Sequence, residues 1–126
     1  MGSLSYTFET ADRSRTLWDP GIGVGQLYVA LAEGAGQLLG LPTGLTPNER
    51  GGADVDLEMF QAFTQGMYNK YFVTENVIMH DLMRGLLLAS MVMLETSGGA
   101  INRAPERERD LLEKRDTYVR AMWVED

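Results

Sequence analysis

The chain contains no cysteine, a single histidine and only two tryptophans. Without cysteine there is no disulfide framework, no zinc ribbon and no thiol nucleophile. One histidine excludes the two-histidine zinc peptidase motifs and His-rich metal sites. Positive charge is scarce as well. Eleven Lys and Arg face eighteen Asp and Glu, for a formal net charge of −7, and the pI is near 4.6. That balance argues against non-specific binding to nucleic acid or anionic lipid. Long apolar runs are missing. The longest, Gly85 to Leu94, has ten residues and is too short to span a bilayer. The start, Met1-Gly2-Ser3-Leu4-Ser5-Tyr6, offers neither the basic nor the apolar region of a signal peptide, so the expected location is cytoplasmic.

What is present suffices for a core. Leu, Ile, Val and Phe make up about a quarter of the 126 residues, and a single domain over 1–126 is expected. Alternation of Leu4, Tyr6 and Phe8 with Ser5, Thr7 and Glu9, then a turn-like Ala11-Asp12-Arg13-Ser14, predicts a β-hairpin over 4–18. Asp19-Pro20 reads as a helix start, and the first helix is expected over 19–41 with Val24, Leu27, Leu31, Ala35, Leu38 and Leu39 as its core face. Ala32, Gly36 and Gly40 share a second face, suited to close approach of another helix or to a ligand. Residues 42–53, rich in Pro and Gly, read as a loop with binding potential. Asp56 caps a second helix, 56–72, and Thr74 a third, 74–97, whose core face is Val77, Ile78, Leu82, Leu86, Ala89 and Met93. Pro105 opens the last, 105–123. Its i,i+4 acid–base pairs, Asp110→Lys114 and Asp116→Arg120, mark a solvated face. The fold expected is mainly α, a four-helix domain with a short N-terminal β-hairpin.

Few residues carry chemistry. Gly21-Ile22-Gly23-Val24-Gly25 lacks the final glycine of a dinucleotide fingerprint and any Walker lysine. Asp54-Val55-Asp56-Leu57-Glu58 starts like a calcium loop, but Met59 and Gln65 stand where glycine and glutamate are required. No metal or cofactor is therefore expected. Proton transfer near neutral pH falls to His80, with Arg84 one turn on, Asp81 beside it and Glu75 nearby. If the protein is an enzyme, these four are its catalytic candidates. Seven internal methionines suit either a core or an adaptable pocket. The acidic stretch Glu33 to Glu58 suits a basic partner.

The motifs Tyr6-Thr7-Phe8-Glu9, Thr16-Leu17-Trp18-Asp19-Pro20, Leu41-Pro42-Thr43-Gly44-Leu45 and Asp54-Val55-Asp56, followed by Phe60-Gln61-Ala62-Phe63, resemble a family of small actinobacterial proteins of unknown function. The resemblance covers roughly residues 6–98 and leaves the charged last helix outside. Its motifs are structural punctuation and bring no site with them.

Acidity and the lack of catalytic motifs point to a small cytoplasmic binding protein acting by protein–protein contact, immunity- or antitoxin-like in its sharpest form. The rival is a cofactor-free enzyme or small-molecule-binding protein of specialised metabolism with a methionine- and aromatic-lined pocket. The expected partners are a second copy of the chain, covering the all-round apolar Gly85–Leu94, and either a basic protein surface or an apolar small molecule; neither nucleic acid nor membrane is expected.

Overall fold

A computed structural model describes residues 5–123; Leu4 of the expected hairpin lies outside them. In chain order the elements are β1 (Phe8–Thr10), β2 (Thr16–Trp18), α1 (Ile22–Leu39), β3 (Leu45–Pro47), β4 (Ala53–Val55), α2 (Leu57–Val73), α3 (Val77–Thr96), a 3-10 turn (Pro105–Arg107) and α4 (Arg109–Ala121).

β1 and β2 pair antiparallel, with Phe8 opposite Trp18. The turn between them is organised by Asp12, whose carboxylate accepts from the Thr10 hydroxyl at 2.6 Å and from the Ser14 amide and hydroxyl at 3.0 and 2.7 Å. The hairpin is only half of a sheet. β4 pairs parallel with β1 and antiparallel with β3, giving the order β2-β1-β4-β3. Residues 42–53 are therefore not an unstructured loop. Their second half turns on Asn48, whose side-chain oxygen accepts from the amides of Arg50 and Gly52 while its amide group donates to Asp54. Three-residue strands are too short for alternation to show. Gly52 permits the parallel pairing, because a Cβ there would lie 2.1 Å from the Thr7 carbonyl oxygen.

α1 starts later than expected. The Asp19 carboxylate accepts from the Thr7 hydroxyl at 2.7 Å, and the Pro20 carbonyl accepts from the Tyr6 amide at 2.8 Å. Residues 19–21 are thus tied to the sheet side, and the helix begins at Ile22. The larger correction concerns its faces. The buried residues are Gly25, Tyr28, Ala32 and Gly36, and the leucine face points outward. Small residues let this helix lie close to its neighbours: a Cβ at Gly25 would fall 2.4 Å from Tyr6, and one at Gly36 2.9 Å from the Leu41 carbonyl.

α2 begins as expected, with Asp56 accepting from the Met59 amide at 3.1 Å, and buries Phe60, Phe63, Thr64, Met67, Tyr68 and Tyr71. α3 is capped by Asn76, not Thr74, the Asn76 side chain accepting from Met79. Thr74 closes α2 instead. Every residue from Leu86 to Leu94 is buried within the single chain. That apolar stretch is enclosed by α2, α4, α1 and β2 and needs no second copy to cover it. The first turns of α3 differ from expectation, since Val77, Ile78 and Leu82 are exposed. α3 as a whole is long and apolar enough to cross a membrane by length and composition, although its second half is the core of this domain. Around α4, Asp110, Lys114, Asp116 and Arg120 are exposed, whereas Leu111 and Met122 are buried.

Candidate functional site

α1, α3 and α4 do not close on one another completely. Between them runs a groove with a cavity of about 640 Å³. α1 contributes Val24, Leu27, Tyr28 and Leu31, and α3 contributes Leu82, Gly85, Leu86 and Ala89. Tyr118, Met122 and Trp123 come from the far side, and Trp18 with Pro20 from the end of β2. Both tryptophans of the protein line this groove.

Its floor is rigid and internally satisfied. Trp18 stacks on Phe8, with centroids 5.4 Å apart and planes at 16°, and meets Tyr28 edge-on at 5.6 Å. The Tyr28 hydroxyl lies 2.6 Å from the Ser90 hydroxyl, which donates to the Leu86 carbonyl at 2.8 Å. Tyr28 is therefore the donor to Ser90, and no lone polar atom of this pair is left facing the groove. Burial pushes the Tyr28 phenol far up, so it stays protonated.

The walls are apolar and open. Val24, Leu27, Leu31 and Leu38 are 49–61% exposed, and Val77, Ile78 and Leu82 are 69–72% exposed. On α1 these residues fall at i, i+3, i+7 and i+14, a single straight seam. Among the described residues, the charged ones lining the cavity are Asp19 and Asp81, both acidic. Asp81 shares an ion pair with Arg84 at 3.3 Å.

The four residues expected to do acid–base work are not assembled around a cavity. Of His80, Asp81, Arg84 and Glu75, Asp81 alone lines the groove. The His80 ring stacks on Tyr71 at 4.5 Å and 24°, and its Nε2 lies 2.7 Å from the Thr74 carbonyl oxygen. A carbonyl only accepts, so Nε2 carries the proton and the histidine closes the C-terminal end of α2. Arg84 donates from Nε to the Tyr71 hydroxyl at 3.3 Å, which raises the guanidinium pKa further. Glu75 is exposed. Among the described residues no three His, Asp or Glu side chains come together as a metal site requires.

Two other clusters clarify the acidic reading. In the stretch 33–58, Glu33 accepts from Thr43, Asp54 is held by Asn48 and Arg13, and Asp56 caps α2. Much of that acidity is therefore committed internally. Near α4, Glu108 is buried at 1% exposure and accepts from the Tyr68 hydroxyl at 2.9 Å and from Arg103 Nη2 at 2.6 Å. Glu95 links Arg103 to Arg115.

The methionines are mostly core: Met67, Met83, Met91, Met93 and Met122 are buried, and only Met122 reaches the groove. Spacing alone assigns the outward seam of α1 to the core, and the structure places it outside. One signal would have exposed it: Glu33 is the sole charged residue in the 18 of α1. A helix with apolar or small residues on two neighbouring faces has one covered by the domain and another available.

A family of unknown function, DUF6086, matches residues 4–124. The match includes α4, which the motif resemblance had left out. No curated protein and no solved structure matches the chain.

Proposed function

We propose that this chain, which belongs to the DUF6086 family of unknown function, is a binding protein acting by protein–protein contact through the groove between α1, α3 and α4. The observation that carries this reading is the outward seam of α1, of which Val24, Leu27 and Leu31 line, with Leu82, a cavity of about 640 Å³. Exposed apolar patches of this size mark interaction sites in soluble domains. The volume alone also suits a small molecule, since ligand cavities run from about 300 to 1,000 Å³. The seam, however, continues past the cavity to Leu38, and α3 continues it to Ile78 and Val77. A small molecule in the cavity leaves those side chains in water, whereas a protein surface covers them.

Catalysis by the His80 cluster receives no comparable support, because His80 and Arg84 are engaged by Thr74 and Tyr71. The net charge of −7 favours a basic partner, the relation an immunity protein or antitoxin has to a basic toxin.

The test uses the tryptophans. A neutral apolar fluorophore such as prodan bound in the groove should accept energy from Trp18 and Trp123. Leu27→Asp combined with Leu82→Asp should abolish that transfer while leaving the melting curve within a few degrees, since both side chains are exposed. Equal transfer in the variant would refute the groove as the binding surface.

A further inference from the structure

From the shape and charge of the same groove, and resting on the reading above, we infer that its occupant is a cationic amphipathic α-helix of a partner protein.

The first argument is form. Val24 to Leu38 spans 14 residues of α1, or about 21 Å of helix at 1.5 Å per residue. A straight apolar seam of that length matches about four turns of a partner helix, whose own apolar face repeats at i, i+3, i+4 and i+7. Gly34 lies on this outer side with open space where a Cβ would stand, so a partner backbone can come close there.

The second argument is area. With Trp123, the exposed seam of α1 and the first turns of α3 present eight large apolar side chains. Full burial of one such aliphatic side chain removes on the order of 60–120 Å² from water. Half to three-quarters of that for each gives on the order of 500 Å². This matches the apolar share, roughly 60%, of a standard face of about 800 Å² per partner.

The third argument is charge. Among the described residues the charged side chains that line the cavity, Asp19 and Asp81, are carboxylates and no Lys or Arg lines it, Arg84 reaching Asp81 from outside the lining. Lysines or arginines flanking the apolar face of an incoming helix would meet both. A second copy of this chain would bring another net charge of −7 to the same surface, and the base beside it, Arg84, is already paired with Asp81.

The probe is an 18-residue, end-blocked synthetic helix with leucines at i, i+3, i+4 and i+7 and lysines on both flanks. Its counterpart carries glutamates in place of the lysines. Binding is read from tryptophan emission at low ionic strength, with sedimentation of the protein alone run in parallel. The lysine peptide should bind at least tenfold more tightly than the glutamate peptide. Asp19→Asn with Asp81→Asn should weaken the lysine peptide by about tenfold. Glu49→Gln with Glu58→Gln removes the same charge away from the groove and should change affinity by less than about twofold. Equal binding of the two peptides, or equal losses in the two double variants, overturns the proposal. So does a dimer that Leu27→Asp dissociates, which would assign the groove to a second copy. A groove that takes the fluorophore but neither peptide also overturns it. That last pattern leaves groove binding itself standing, whereas loss of the fluorophore signal removes the wider reading too.

Discussion

Removing the guanidinium that faces Glu108 is the most demanding test of the packing that holds α4 in place. Glu108 is 1% exposed and receives three hydrogen bonds from Arg103, at 3.0, 3.1 and 2.6 Å, besides the one from the Tyr68 hydroxyl at 2.9 Å. Arg103→Met leaves a buried carboxylate with Tyr68 as its remaining donor. Breaking a buried pair from one side costs about 3–5 kcal/mol, because the surviving charge is desolvated without compensation. Arg103 itself is 30% exposed on its side chain, so little of that cost arises from its own hydration. Domains of this size are stable by about 5–15 kcal/mol, so the variant should fold and melt roughly 10–20 °C lower. The second arm is Arg103→Met combined with Glu108→Leu. With both charges gone no buried ion is left behind, and the double variant should recover about 2 kcal/mol or more relative to Arg103→Met. The remaining loss is the Tyr68 hydroxyl's bond to Glu108, worth about 1 kcal/mol. Tyr68 still accepts from the Ala104 amide at 2.7 Å. Circular dichroism melts and urea titrations of the three proteins decide the matter. Arg103→Met within about 0.5 kcal/mol of the parent would refute the reasoning. A double variant no better than the single would refute it equally.

Tyr28→Phe should cost about 1–1.5 kcal/mol in urea unfolding, since Ser90 keeps its bond to the Leu86 carbonyl. A loss above about 3 kcal/mol would show that the floor of the groove rests on more than this one hydrogen bond. Asp12 supplies a pH dependence. Hydrogen bonds from Thr10, then from Ser14, hold its carboxyl at about 2, below the ordinary value of 3.8. A folded value below the unfolded one means stabilisation that is present above pH 4 and lost as pH falls toward 2. The urea-midpoint difference between the parent and Asp12→Asn should therefore shrink across that window, and a constant difference would contradict the assignment.

The parts of this fold that could be read from the sequence share a physical trait: each is decided by local chemistry. Asp56 caps α2 because its side chain needs only the Met59 amide three residues on. The β1–β2 hairpin needs Asp12 and its immediate neighbours. The long α3 follows from its own composition. What escaped the sequence is decided at a distance. The parallel pairing of β1 with β4 joins Phe8 to Ala53, and three-residue strands carry no periodic signal strong enough to announce it. Asp19 looked like a cap, but a threonine twelve residues earlier takes its carboxylate. The face of α1 was inverted for the same reason. Helical spacing identifies two candidate faces, and hydrophobicity favours the leucines. Closeness of approach decides otherwise, because Gly25 and Gly36 admit Tyr6 and the 41–43 turn where larger residues would clash. Of the four catalytic candidates, Asp81 alone lines the groove, while Val24, Leu27, Leu31 and Leu82, which spacing assigns to the core, form its walls.

The inversion bears directly on function. Had the leucines of α1 faced inward, the groove would have closed and the third helix would have been the only over-apolar element needing explanation. Instead α3 is buried by its own chain from Leu86 to Leu94, and the remaining apolar surface sits on α1, on the first turns of α3 and at Trp123. Charge is distributed in the opposite sense. α1 contributes Glu33 alone, while α4 carries seven charged residues among its thirteen. A net charge of −7 keeps such a molecule soluble while an apolar strip stays open. That separation has a cost in aggregation risk which a purely structural helix would avoid by placing Lys or Glu at positions 24, 27 or 31. At the groove floor Tyr28, Ser90 and Trp18 are held by hydrogen bonds and ring contacts within the chain. On the binding reading proposed above, such a packed floor beneath an open apolar strip is preorganised, and preorganisation strengthens association by reducing the side-chain freedom lost on contact.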